Sequence, residues 1–151
     1  NMKLLSSTER NKILEKLEKQ FGISKLPWLL LQFGRDKIRA FSGSLSKQEI
    51  LTLDRELRIE SAGLYLLSMQ ESDLRINLDA LHLLKEQITK NTLELDKEQA
   101  EQWFRGNDIA LDKEIERGFL ILKFKEDIIG CGKSVGTHIK NYMPKERRIK
   151  N

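Results

Sequence analysis

Trp103-Phe104-Arg105-Gly106-Asn107-Asp108-Ile109 leads to Gly118-Phe119-Leu120-Ile121-Leu122, then to Ile129-Gly130-Cys131-Gly132-Lys133, and finally to Lys140-Asn141-Tyr142-Met143-Pro144-Lys145-Glu146-Arg147-Arg148. Short apolar runs are separated by glycines at turn spacing and flanked by cations, which is the pattern of a small sheet with a charged rim. Just before this stretch, Asp96 and Gln99 have the spacing of a capping box, so a helix should run through Ala100 to Trp103-Phe104 and stop at Gly106. Beyond Gly106 the pattern predicts strands alone, at 108–111, 118–125, 128–134 and around 147–149. A unit of this size dominated by strands should close into a small barrel, because closure removes exposed edges.

Charge is concentrated in the same stretch. Residues 132–151 hold six Lys or Arg against the single Glu146, a local +5 within a chain whose net charge is +4, so the remainder sums to −1. One cationic end on a near-neutral body points to a polyanionic partner.

Working outward, Ser6-Ser7-Thr8-Glu9 is a second capping box, and Ile13, Leu14, Leu17 and Phe21 follow at helical spacing up to Gly22. Pro27 bars a helix, and the alternation of Leu29, Leu31 and Phe33 before Gly34-Arg35-Asp36 and Lys37–Phe41 predicts a hairpin. Ser46-Lys47-Gln48-Glu49 predicts another helix from about residue 47, Leu64–Met69 and Leu74–Ile76 predict strands, and Asn77 should cap a short helix carrying Leu78, Leu81 and Leu84. The expected class is α+β. It comprises an N-terminal mixed unit over 1–88 packed on a barrel over 89–151.

With 39% hydrophobic and 33% charged residues in 151, the composition suits a soluble globular chain able to bury one good core or two small ones. Apolar runs such as Trp28-Leu29-Leu30-Leu31 stop far short of the ~20 residues needed to span a bilayer. Nothing near the start resembles the apolar core of a signal peptide, so the expected location is cytoplasmic, with no membrane partner. One cysteine, Cys131, cannot form an intramolecular disulfide.

Several residues carry competing chemical readings. Gly130-Cys131-Gly132-Lys133-Ser134 ends like a phosphate-binding loop, but its first required glycine would fall at Asp127 and Gly136 interrupts the helix that should follow. Close backbone approach explains the glycines better. Cys131 in an apolar strand, without a neighbouring base, is expected to be inert. His82 and His138 supply no metal-ligand spacing, so neither metal nor catalytic residues are expected. Trp103 and Phe104 should be core. Tyr142 could stack on a base or sit at the core rim.

Taken in order, these motifs of the last third resemble the RNA-binding end of Sun-type RNA cytosine-5 methyltransferases, a PUA-like domain. The preceding unit is similar, more weakly, to that of small stand-alone PUA proteins of archaeal ribosome biogenesis, which makes it pre-PUA-like. The resemblance implies a non-catalytic protein that needs no cofactor and binds structured RNA, rRNA or tRNA, in ribosome biogenesis or RNA modification. The contacts implied are Arg105, Gly106 and Asn107 in the loop after the helix, Lys133 at the end of its strand, and Lys140, Asn141, Lys145, Arg147 and Arg148. Tyr142 joins them as a stacking candidate. Methyl transfer is not implied, because such enzymes use two cysteines and a glycine-rich S-adenosylmethionine site, and this chain has one cysteine. An alternative role is that of an adaptor whose N-terminal unit docks a separate RNA-modifying enzyme or ribosome-assembly factor.

Overall fold

A computed structural model describes residues 2–42, 63–70 and 73–149, so the helix expected from about residue 47 lies outside the described residues. The chain folds as two compact units, 1–88 and 89–151, both mixing helix and sheet.

The first unit contains β1 (Met2–Leu4), α1 (Ser7–Phe21), β2 (Trp28–Phe33), β3 (Lys37–Ser42), β4 (Leu64–Gln70), β5 (Asp73–Ile76) and α2 (Leu78–Leu84), followed by a 3-10 turn over Lys85–Gln87. The five strands form one antiparallel sheet in sequence order, and the expected hairpin is its β2–β3 pair, with Leu31 opposite Arg39. Ser6 and Glu9 close the capping box, while Gly22 ends α1 at φ 88°. Ile13, Leu17 and Phe21 are buried one helical turn apart, as their spacing requires.

Glutamines and one arginine brace this unit. The Gln20 side chain accepts from Leu74 N–H at 3.0 Å and donates to Leu74 C=O at 3.3 Å, capping the edge strand β5 as a neighbouring strand would. Gln87 Oε1 accepts from the amides of Ser24 and Lys25, and its Nε2 donates to Lys25 C=O, which ties down the loop after α1. The Arg10 guanidinium donates to the carbonyls of Leu26 and Trp28.

The second unit contains β6 (Thr92–Glu94), α3 (Lys97–Phe104), β7 (Ile109–Ala110), β8 (Gly118–Phe124), β9 (Asp127–Ser134) and β10 (His138–Lys140). The sheet order is β6-β8-β9-β10-β7, with β6 parallel to β8 and every other pair antiparallel. The ladders thus define a five-stranded sheet with two short ends, and do not by themselves close a barrel. Ends of three and two residues offer little backbone for a closing ladder.

Two expectations need correction. The strand expected around 147–149 is replaced by a 3-10 turn over Lys145–Arg147, because Pro144 has no N–H to give a ladder and Ile149 N–H is spent on Phe104 C=O at 2.6 Å. The strand β10 was not anticipated, since three residues leave almost no period to read.

Candidate nucleic-acid interface

The candidate interface is built around Trp103. Asp96 and Gln99 cap α3 reciprocally, at 2.8 and 3.0 Å, which sets the helix start and places Ala100 and Trp103 inward. Trp103 is 1% exposed, and its Nε1–H donates to Ile129 C=O at 3.2 Å. Its ring lies directly on β9. A Cβ at Gly130 would meet the indole at 2.8 Å, and one at Gly132 would meet Ile139 Cγ2 at 2.5 Å and the indole at 3.0 Å. The Gly-x-Gly pattern is therefore a seat for an indole, and what approaches the strand so closely is a side chain.

From this anchor the chain leaves α3 through Arg105 and Gly106, the latter at φ 88°. The C-terminal segment is laid onto that loop by Asn141. Its Nδ2 donates to Trp103 C=O at 2.8 Å and to Asn107 C=O at 3.0 Å, while its Oδ1 accepts from Met143 N–H at 2.8 Å. Its own N–H donates to Asp108 Oδ1 at 2.9 Å. Arg148 Nε donates to Met143 C=O at 3.1 Å and its side chain lies across Gly106, where any Cβ would overlap it. Met143 is buried. Residues 141–149 are thus anchored at both ends on the loop after α3.

The ten expected contact residues consequently fall into two sets. Arg105, Gly106, Asn107, Asn141, Lys145, Arg147 and Arg148 gather on the α3–β7 loop and the segment that covers it, with Arg105, Asn107, Lys145 and Arg147 exposed. Lys133, Lys140 and Tyr142 gather instead around Phe119. Lys133 is opposite Phe119 on β8 and opposite Lys140 on β10, so the three side chains share one face. Lys133 Nζ sits 5.5 Å from the Phe119 ring centroid, and the Tyr142 ring lies 6.1 Å from the same ring at 50°. Lys140 is the exposed member.

Asn141 spends its side-chain amide and Arg148 its Nε within the protein, which makes them braces for the loop. Phe119 and Asp108 belong to the motifs quoted above but were not among the expected contacts. The alternation His138-Ile139-Lys140, leading straight into Asn141, was the available sign of a strand bringing Lys140 beside Lys133.

Elsewhere the chemistry is sparse. Among the described residues, no group of three or more His, Cys, Asp or Glu is placed to hold a metal ion, and no helix is long and apolar enough to cross a membrane. The first unit has a cavity of ≈ 390 Å³ lined by Leu4, Ser7, Arg10, Pro27, Trp28 and Leu29, among others. Arg10 is its one charged lining group, and two carbonyls already engage it.

Residues 90–149 match the family described as the methyltransferase RsmF PUA domain. Ribosomal RNA small subunit methyltransferase F of Vibrio cholerae serotype O1 (strain M66-2) is 32% identical over 91 residues, which are 60% of this chain and 19% of that protein. Its counterpart in Aeromonas salmonicida (strain A449) is 26% identical over 143 residues, 94% of this chain and 28% of that protein. The chain therefore spans about a fifth to just over a quarter of the length of these curated relatives. Among solved structures, a conserved PUA domain protein from Thermoplasma acidophilum superposes with a TM-score of 0.61 at 13% identity, covering 97% of each chain. A PUA domain from Aeropyrum pernix K1 gives 0.55 at 13% identity, covering 96% of this chain and 86% of that one. The chain carries a PUA-like domain. That domain is related to the one in Sun-type RNA cytosine-5 methyltransferases, and the matched family is that domain rather than a catalytic one.

Proposed function

We propose that this chain binds structured RNA through its PUA-like domain, with ribosomal RNA as the favoured target and RNA modification or ribosome biogenesis as the setting. The observation that supports this reading is that cations from three separate segments stand in two sets on ordered backbone, one on the α3–β7 loop with the segment that covers it and one on the opposed β9–β10 pair. Exposed lysine and arginine on ordered backbone position a polyanion, while neighbouring loop groups meet unpaired bases. The names of the curated relatives, which specify ribosomal RNA of the small subunit, support that RNA class. The full fold proposed is a PUA-like barrel with a pre-PUA-like N-terminal unit, acting without catalytic residues of its own.

The test is Lys140→Glu, Lys145→Glu and Arg147→Glu combined, sparing Arg148 because its Nε braces Met143. Affinity for small-subunit rRNA fragments, measured by fluorescence anisotropy, should fall at least 100-fold in about 100 mM salt, while the circular dichroism spectrum stays unchanged. Undiminished affinity would place the interface elsewhere.

A second reading, as an adaptor or RNA-binding part for a methyltransferase, draws on the matches that span both units. In the Aeromonas relative, 94% of this chain corresponds to 28% of a longer protein, so both units recur together beside further sequence. On that reading the first unit docks the catalytic partner. Co-purification of such a partner from extract should then survive nuclease treatment.

A further inference from the structure

Lys133 and Lys140 stand directly opposite each other on β9 and β10. Opposed residues of an antiparallel pair have Cβ atoms about 4.5–5.5 Å apart, and like charges so placed repel. Among the described residues no carboxylate pairs with either ammonium. Asp108, whose Oδ1 reaches the residue after Lys140, accepts from Asn141 N–H. Beneath Lys133 lies an aromatic floor. Phe119, 3% exposed, holds the Lys133 ammonium over its ring and packs against Tyr142. Two like charges on adjacent strands, one of them held over an aromatic ring, make an arrangement that one bound anion would relieve.

We propose that Lys133 and Lys140 together hold a single phosphate group of the RNA, as a two-lysine clamp, rather than each meeting a separate phosphate. This rests on the RNA-binding reading and narrows it. The opposed register allows both ammonium groups to converge on one phosphate, whereas successive phosphates of an extended strand lie farther apart than a β-ladder pair. Two further consequences follow from sharing. The lysines act as a unit, so losing either removes most of what both contribute. They also neutralise one phosphate, so together they account for one increment of the salt dependence and not two.

The experiment has two arms. In the first, Lys133→Gln, Lys140→Gln and the double variant are titrated with a single-stranded small-subunit rRNA oligonucleotide across a salt series. A shared phosphate predicts a five- to tenfold loss for each single variant, less than a twofold further loss for the double, and a log–log slope shallower by about 0.7. Additive losses with a slope change of about 1.4, or unchanged binding in an otherwise RNA-binding wild type, overturn the clamp and leave the RNA reading intact. In the second arm, inorganic phosphate is titrated while the ε-methylene NMR signals of both lysines are followed. Saturable shifts at Lys133 and Lys140 with one common midpoint, lost at the remaining lysine when the other is replaced, support the clamp even if the wild type binds no RNA. Shifts at one lysine alone, or at neither, overturn it.

Discussion

Arg148 lies across Gly106, the side chain of one covering the bare Cα of the other, at the point where the C-terminal segment meets the loop after α3. Gly106 sits at φ 88°, where a Cβ is disfavoured, and a methyl group would overlap Arg148 Cδ and Nε. Gly106→Ala should therefore cost about 1–2 kcal/mol from the backbone alone, with a further loss as Arg148 is displaced. Urea unfolding measures the total. RNA affinity should fall in Gly106→Ala even under conditions where both proteins are fully folded, because the segment carrying Lys145 and Arg147 loses its anchor.

Asn141 is a prediction about stability before it is one about binding. Its amide satisfies two carbonyls and one N–H across separations of up to 38 residues. Asn141→Ala should destabilise by about 2–4 kcal/mol, from the partners it leaves unsatisfied. Asn141→Asp should cost more than its near-identical shape suggests, since a carboxylate oxygen would then face the carbonyls of Trp103 and Asn107. Thermal denaturation of the two variants side by side checks the order.

The Gly-x-Gly seat separates packing from phosphate binding. Gly132→Ala should destabilise by about 1–3 kcal/mol through overlap with Ile139 and Trp103, accompanied by a change in tryptophan fluorescence. Neither this variant nor the wild type should bind ATP in isothermal titration calorimetry. Measurable ATP affinity would restore the phosphate-loop reading of Gly130–Ser134.

Lys125 and Glu126 join β8 to β9 as a two-residue turn with φ 50° and φ 77°, left-handed at both positions without a glycine. Such turns favour Asn-Gly. Lys125→Asn with Glu126→Gly should stabilise the protein by about 1 kcal/mol or more, read as a rise in melting temperature with RNA affinity unchanged.

Glu9 should resist protonation. Its hydrogen bonds to the Lys3 ammonium and the Ser6 amide lower its pKa from 4.5 to about 2. The group is depressed in the folded state, so its contribution to stability is present above about pH 4.5 and is lost as the pH falls toward 2. NMR titration of the Glu9 carboxyl carbon should give a midpoint well below that of an ordinary glutamate. Lys3→Ala should raise it.

Much of the architecture could be read locally. Both described capping boxes, the β2–β3 hairpin, β4, β5, β8 and β9 follow from periodicity and from end signals lying within a few residues of one another. The failures have physical causes. β1 and β10 are three residues long, too short for a period, and Lys125-Glu126 carries none of the residues that mark a tight turn. The end of the chain reads as a strand because Ile149 follows charged residues, yet its N–H goes to Phe104.

The candidate interface divides in the same way. Residue order and composition were enough to place the cations near the carboxyl end, between glycines and apolar runs, because charge and turn chemistry are properties of short segments. Which cations stand together was decided by the folded chain. The facing of Lys133 and Lys140 is a matter of strand register, the clearing above Gly130 and Gly132 belongs to an indole 27 and 29 positions away, and the loop around Gly106 is held by an asparagine from another segment. Those relations depend on contacts between distant residues, and each comes into being when the sheet, α3 and the C-terminal segment pack together.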